Sequence, residues 1–171
     1  MKVGVVDIGT NSVRLLITDG EVESGRQVEV TGLGRGVDTT GRLSVEAVEE
    51  TIFSLERYGE AMDSHRVERR RAIATSAARD AQNREEFFDL AESALGVRPA
   101  LISGEEEARL AYRGATAGLD QSEAWVVNDI GGGSTEFVTR TGEVSVDIGS
   151  VRLTERHLPD RPPQPGERTS S

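Results

Sequence analysis

One local pattern occurs twice in the chain and limits the folds that the chain can adopt. The segment VVDIGTNS (5–12) is a hydrophobic run that ends in Asp-Ile-Gly and continues into small polar residues. The segment VVNDIGGGS (126–134) repeats this order late in the chain, and a second hydrophobic run follows each copy. Such a pattern predicts a strand, a tight glycine-containing turn and another strand. We therefore expect an internal duplication that is complete in its first copy and cut short in its second.

The rest of the chain predicts an α/β protein. Strands at 2–7, 13–18 and 26–31 are joined by short turns, which favours an antiparallel meander. The later order is helix, strand, helix, strand and helix, and the second copy then supplies three strands with no further helix. We expect two units, 1–123 and 124–158, followed by a flexible proline-rich tail at 159–171. The predicted helices lie beyond Ser44, at 83–95 and at 103–117, and the later strands lie at 71–75, 97–102, 125–129, 136–138 and 144–148.

The composition excludes several kinds of site and partner. The chain has no cysteine, and its two histidines, His65 and His157, stand in polar surroundings, so thiolate chemistry and a histidine-rich metal site are not expected. Lys2 is the only lysine, so the lysine-containing phosphate loop is absent and any phosphate must be bound by amides, arginines or a metal ion. The net charge of −10 disfavours duplex nucleic acid as a partner. No apolar run approaches the roughly 18 residues of a membrane span, and we expect a cytoplasmic protein without membrane contact.

The two Asp-Ile-Gly turns suit metal and phosphate together. Glycines let the backbone approach a ligand closely, and consecutive amides can form an anion-binding nest. An aspartate at the strand end can hold Mg²⁺, which prefers carboxylate and phosphate oxygens. One such turn is also common in ordinary hairpins, but two turns in matching order favour a functional interpretation.

Glu107 is a candidate general base. Helix capping and the helix dipole account for the preceding acids, Glu105 and Glu106. Glu107 instead shares a helix face with Leu110 and Ala111, an apolar stripe that we expect to face inward. A carboxylate at the inner end of such a stripe is placed for proton transfer.

Arg79 allows two interpretations. It follows a short predicted strand, where a guanidinium could contact phosphate. The pattern alone favours a surface salt bridge with Asp80 or Glu85.

Five segments resemble the exopolyphosphatase/guanosine pentaphosphate phosphatase family, and they are spread over almost all of the chain up to residue 158. They are VVDIGTNSVRLLI (5–17), ATSAARDAQN (74–83), ISGEEEARLAY (102–112), DIGGGSTEFV (129–138) and IGSVRLTERHL (148–158). The family lies within the sugar kinase, actin and heat-shock chaperone superfamily. The resemblance implies a ribonuclease H-like (actin-like ATPase) fold with a mixed five-stranded sheet and flanking helices, followed by the first strands of a second, truncated copy.

The resemblance also implies a reaction and a set of site residues. The reaction would be hydrolysis of the terminal phosphoanhydride of inorganic polyphosphate, or of the 5′ γ-phosphate of pppGpp, assisted by Mg²⁺. By motif, Glu107 would be the general base and Glu136 the second catalytic acid, while Asp7 and Asp129 would hold Mg²⁺. Arg79 would contact the phosphate chain, against the salt-bridge interpretation. The residues expected to cradle phosphates are Gly9, Thr10, Asn11, Ser12, Gly131, Gly132, Gly133 and Ser134.

The chain departs from the family pattern in two ways. Asn128 stands before Asp129 where the family usually has an aliphatic residue, which could alter the surroundings of the metal. Family members also continue through a complete second domain that begins near residue 125. We therefore expect this chain to be an N-terminal fragment with little activity alone, whose missing part would cover Val126, Ile130, Phe137 and Val146.

Other functions stay open at this point. An ATP-dependent kinase of the same superfamily is one alternative, although SGEEEAR has no obvious counterpart there. A module that binds polyphosphate or an alarmone without turnover is another. The sequence also leaves open the choice between polyphosphate and pppGpp, a monovalent-cation requirement and whether the chain forms a homodimer.

Overall fold

The structure is a computed structural model that describes residues 1–120 and 122–158. The predicted tail at 159–171 lies outside the described residues. Within the described ranges the chain forms eight strands and six helices. They are β1 (Val3–Ile8), β2 (Ser12–Thr18), β3 (Glu23–Val30), α1 (Val37–Thr40), α2 (Val45–Ser64), β4 (Arg69–Ala74), α3 (Ser76–Asp80), α4 (Arg84–Leu95), β5 (Ala100–Leu101), α5 (Gly104–Ala115), β6 (Val126–Ile130), β7 (Thr135–Thr139), β8 (Glu143–Val146) and α6 (Ser150–His157).

The first sheet has five strands in the order β3-β2-β1-β4-β5. β1 pairs antiparallel with β2, and β2 pairs antiparallel with β3, which confirms the predicted meander. β4 pairs with β1 in parallel, and β5 pairs in parallel with β4. A parallel neighbour needs a crossover, and α2 supplies it between β3 and β4. The mixed five-stranded sheet with flanking helices confirms the expected fold class.

The core forms between this sheet and the helices α2 and α4. Alternate residues of β2, Val13, Leu15 and Ile17, are buried on one sheet face, as the period of a strand requires. Ser44 accepts a hydrogen bond from the amide of Ala47, which confirms the predicted start of α2. The hydroxyl of Tyr58 on α2 donates to the carbonyl of Val13 (3.0 Å), and this bond fixes the helix against the sheet.

The second sheet repeats the first hairpin with the same register. β6, β7 and β8 are antiparallel neighbours, as β1, β2 and β3 are. The amide of Gly9 donates to the carbonyl of Ser12 (3.0 Å), and the amide of Gly131 donates to the carbonyl of Ser134 (2.9 Å). The strand pairing then sets Asp7 opposite Arg14 in the first hairpin and Asp129 opposite Glu136 in the second. The duplication read from the sequence is therefore a structural one.

The prediction that no helix covers the second sheet is wrong. α5 packs against β6, β7 and β8, and Ala108 of this helix is fully buried. A further helix, α6, follows β8 where none was predicted. α6 escapes a search for apolar spacing because it has no buried residue, and α1 and α3 span only four and five residues.

The other face of the second sheet carries exposed apolar side chains. Val126, Ile130 and Phe137 are 68%, 73% and 48% exposed. Asn128 lies opposite Phe137 on this outer face, whereas Asp129 lies on the alternate face. Asn128 therefore does not stand beside the carboxylate of Asp129.

The predicted strand at 97–102 is reduced to Ala100–Leu101 in the structure. Its two residues pair with Ile73 and Ala74 at the sheet edge. The predicted helices at 83–95 and 103–117 agree with α4 and α5 to within two residues at each end.

Candidate active site

The two glycine-containing loops face each other across a cleft. A Cβ atom on Gly132 would lie 3.0 Å from the Cβ of Thr10, and one on Gly133 would lie 2.8 Å from the Oγ1 of Thr10. Contacts this short leave no space for a side chain. The second loop can approach the first this closely only because Gly132 and Gly133 have no side chain. The facing loops bring all eight predicted phosphate-binding residues to one place.

The carbonyl groups of both loops are held by neighbouring segments. In the first loop, the carbonyl of Thr10 accepts from the amide of Gly34, and that of Asn11 accepts from the amides of Thr31 and Gly32. In the second loop, the carbonyls of Gly131 and Gly132 accept from the first amides of α6.

The amides of these loops are left available. Those of Thr10, Asn11, Gly132 and Gly133 donate to no acceptor within 1–120 and 122–158. Since amide and carbonyl of a peptide point in opposite directions, fixing the carbonyls aims the amides. Unpaired amides on facing loops can bind an anion.

The cleft between the loops has a volume of about 320 Å³. Eleven of the thirteen predicted site residues line it, and the exceptions are Arg79 and Glu136. Its wall also includes apolar side chains from β4 and α5, among them Ile73 and Leu110. The apolar stripe beside Glu107 thus borders this cleft, where Leu110 is partly exposed, rather than the core.

Glu107 lies in the cleft wall and is paired with Arg79. The Nη1 of Arg79 donates to the Oε2 of Glu107 (2.9 Å) and to the carbonyl of Ile102 (3.0 Å). Burial raises the pKa of Glu107, the hydrogen bond from Arg79 opposes this, and the negative charges of Glu136 and Asp7 raise the pKa further. Arg79 therefore forms its salt bridge with the general-base candidate Glu107. The partners predicted from the pattern, Asp80 and Glu85, were wrong.

Glu136 is the most deeply buried carboxylate of the site, with 1% of its surface exposed. The hydroxyl of Ser145 donates to its Oε1 (2.8 Å). Its Oε2 is buried without a hydrogen-bond partner among the residues that the structure describes. A buried carboxylate oxygen without a partner is costly, so this atom points to a ligand such as water or a cation.

Asp7 and Asp129 form a carboxylate pair on the cleft wall. Burial raises the pKa of Asp7, the positive charge of Arg14 opposes this, and the negative charge of Asp129 raises the pKa again. In the described ranges no three or more acidic or histidine side chains cluster as a complete metal cage. Two carboxylates fit Mg²⁺, which takes its other ligands from water and phosphate.

Arg14 is a cleft residue that the sequence analysis missed. Its Nη1 lies 3.4 Å from the Oδ2 of Asp7, and its side chain is 61% exposed. The signal was available, because a hairpin closed at Gly9 and Ser12 sets position 14 opposite position 7 on one sheet face. Arg152 of α6 was also missed; its Nε donates to the carbonyl of Gly133 (2.8 Å).

The pattern of the Ppx/GppA phosphatase family matches residues 5–169. The chain belongs to this family. It is 45% identical over 180 residues to Exopolyphosphatase 2 of Mycobacterium tuberculosis, covering 95% of this chain and 56% of that protein.

Solved structures of the family agree with the fold. A crystal structure of an exopolyphosphatase-like protein is 42% identical, with a TM-score of 0.89 over 96% of this chain and 56% of that one. An exopolyphosphatase from Cytophaga hutchinsonii is 30% identical, with a TM-score of 0.89 over 98% of this chain and 57% of that one. The chain therefore spans somewhat more than half the length of the relatives that it matches. No helix in the described ranges is long and apolar enough to cross a membrane.

Proposed function

We propose that the protein of which this chain is part releases the terminal phosphate of inorganic polyphosphate by Mg²⁺-assisted hydrolysis. The observation that carries the proposal is the position of Glu107, a carboxylate of raised pKa, in the same cleft as two loops with unpaired amides. A base, an anion cradle and a carboxylate pair are the parts that phosphoryl transfer to water needs. The 45% identity to Exopolyphosphatase 2 favours polyphosphate over pppGpp as the substrate.

Each group of site residues has a separate role in the proposed hydrolysis. The amides of both loops and Arg14 bind the oxygens of the last phosphates. Asp7 and Asp129 would hold Mg²⁺, which neutralises phosphate charge when bound. A carboxylate oxygen of Glu107 accepts a proton from a water molecule while the oxygen of that water molecule bonds to the terminal phosphorus. The bond from that phosphorus to the bridging oxygen breaks, and the shortened polyphosphate leaves with the electron pair.

Glu136 and Arg79 act around this centre. The unpartnered Oε2 of Glu136 supports a role in holding a water molecule or the metal, as the family motif implies. The hydrogen bond from Arg79 orients the carboxylate of Glu107 and opposes the rise of its pKa. Contact between Arg79 and the phosphate chain would need the guanidinium to leave Glu107.

We infer that this chain alone hydrolyses polyphosphate slowly. The relatives are nearly twice as long, and the exposed Val126, Ile130 and Phe137 offer an apolar face that a further part of the protein would cover. A module that binds polyphosphate without turnover is the second candidate, and it is favoured because the chain spans only 56% of the matched exopolyphosphatase. The retention of both Glu107 and Glu136 favours the enzyme.

Phosphate release from polyphosphate with Mg²⁺ tests the proposal. Glu107→Gln should lower the rate by roughly 10²–10⁴-fold, as loss of a general base does. Glu106→Gln is the matched control, because Glu106 is an exposed neighbour on the same helix that does not line the cleft; its rate should equal that of the unchanged chain. Equal rates for Glu107→Gln and the control would reject Glu107 as the base.

A chain that releases no phosphate calls for a second measurement. Adding the matching C-terminal part of a longer relative should restore release if the cleft was incomplete. Continued absence of release, together with binding of polyphosphate, would favour the binding module and reject the enzyme.

A further inference from the structure

Arg152 connects the second glycine loop to the first half of the molecule. Its side chain is only 11% exposed, although it belongs to a helix with no fully buried residue. The Nε donates to the carbonyl of Gly133 (2.8 Å), and the Nη2 donates to the Oδ2 of Asp80 (2.6 Å) on α3. The Nη1 bonds the carboxylate of Asp38 on α1. Two carboxylates thus hold the guanidinium, and its Nε bonds the loop.

Three successive carbonyls of the loop are fixed from the same side. The amide of Ser150 donates to the carbonyl of Gly131 (3.0 Å), and the amide of Val151 donates to that of Gly132 (2.8 Å). The third carbonyl, that of Gly133, receives its bond from the side chain of Arg152. The first two bonds come from the backbone, so only the third can be removed by substitution.

Each fixed carbonyl determines where the next amide points. The carbonyl of Gly133 and the amide of Ser134 belong to one planar trans peptide and point in opposite directions. Glycine offers little resistance to rotation of this peptide, because it lacks a Cβ. A rotated peptide would turn the carbonyl oxygen toward the cleft, where it would repel a phosphate.

We propose that Arg152 is a positioning residue that holds the Gly133–Ser134 peptide so that the amide of Ser134 faces the phosphate. This inference rests on the proposed function of the loop as a phosphate cradle. Arg152 does not line the cleft, and its side-chain hydrogen bonds go to Gly133, Asp38, Ser76 and Asp80 rather than to Glu107. Its effect should therefore fall on substrate affinity and KM, and only weakly on kcat.

Arg156 supplies a matched control on the same helix. It also bonds Asp38 through its guanidinium, but none of its bonds reaches the loop. If the group around Asp38 only attaches α6 to α1, Arg152→Gln and Arg156→Gln should behave alike. If Arg152 fixes the orientation of the Gly133–Ser134 peptide, the two variants should differ in substrate affinity.

The experiment measures Mg²⁺-dependent binding of tripolyphosphate to the chain and to three variants. Arg152→Gln should weaken binding roughly ten- to hundredfold, the effect of one hydrogen bond to a charged group. Arg156→Gln should change it less than about threefold, and Arg152→Lys, which keeps a donor and a charge, should fall between the two. Equal affinities for Arg152→Gln and Arg156→Gln would overturn the proposal.

A second readout needs no ligand. In ¹⁵N relaxation measurements the amide of Ser134 should be rigid in the unchanged chain and in Arg156→Gln, with an order parameter of about 0.85. In Arg152→Gln it should fall below about 0.6. A rigid Ser134 in Arg152→Gln would refute the positioning role even if the chain binds no tripolyphosphate, whereas absence of tripolyphosphate binding by the unchanged chain would count against the proposed function.

Discussion

Replacement of Gly149 by alanine should destabilise the second hairpin measurably. Gly149 precedes α6 with φ −136° and ψ 160°, an extended conformation that any residue adopts. The substitution therefore adds a methyl group without backbone strain. That methyl carbon would lie closer than 3.0 Å to three backbone atoms, the O and C of Gly132 and the N of Gly133.

The size of the effect follows from which atoms are in the way. A flexible side chain could rotate aside, but these three atoms belong to the peptide that joins Gly132 to Gly133. That peptide is held by bonds from the amides of Val151 and Arg152 and lies against Thr10. It must retreat by several tenths of an ångström, and overpacking of this kind costs about 1–3 kcal/mol. For a chain of this length each kcal/mol lowers Tm by roughly 2–4 °C, so we expect a fall of roughly 2–12 °C.

Thermal melts followed by circular dichroism provide the measurement. Gly142→Ala is the control, because Gly142 lies in the β7–β8 turn and a methyl group there would meet nothing within 4 Å. This variant should melt within about 2 °C of the unchanged chain, as surface substitutions do. If Gly149→Ala melts at the same temperature as Gly142→Ala, α6 does not pack against the loop and the account of the anion cradle fails with it.

Three further perturbations test other parts of the structure. Because burial raises the pKa of Glu107 above 4.5, phosphate release should rise with pH across that raised value, and a pH–rate profile of Glu107→Gln should lack this rise. The raised pKa of Asp7 means that its contribution to stability is full below pH 3.8 and is lost as pH rises through the folded value. Asp7→Asn should therefore gain Tm relative to the unchanged chain over that rise, and melts between pH 3 and 7 that show no such gain would contradict the assignment. Tyr58→Phe removes the hydroxyl that donates to the buried carbonyl of Val13 and should cost about 0.5–1.5 kcal/mol in urea unfolding, with an unchanged midpoint as the contrary result.

The parts of the fold that the sequence predicts are those determined locally. Ser44 caps α2 through an amide three residues away, and the turn at Gly9 sets the register of the first hairpin. The residues of each loop are adjacent in sequence, so their proximity to one another is also determined locally. The structure confirms the cap and the hairpin register, which need no knowledge of distant contacts.

The missed features depend on partners far along the chain. Arg152 bonds Asp38, which is 114 residues away, and Arg79 bonds Glu107, which is 28 residues away. A sequence pattern does not reveal which carboxylate an arginine will meet, because most arginines are exposed and pair locally. α6 was missed for the same reason, since ion pairs and loop carbonyls rather than apolar spacing hold it in place.

The two hairpins have the same register, but one pair of equivalent positions, 14 and 136, carries opposite charges. Position 14 of the first hairpin holds a half-exposed cation, and the equivalent position 136 of the second holds a buried anion. The two equivalent positions therefore differ in what they suit: the first suits attraction of a polyanion, and the second suits an ion or water held inside the protein. A substitution that makes the copies alike again, such as Glu136→Arg, would place a larger cation in a buried position that holds a carboxylate bonded by Ser145. The side chains at these two equivalent positions are therefore not interchangeable by a single substitution.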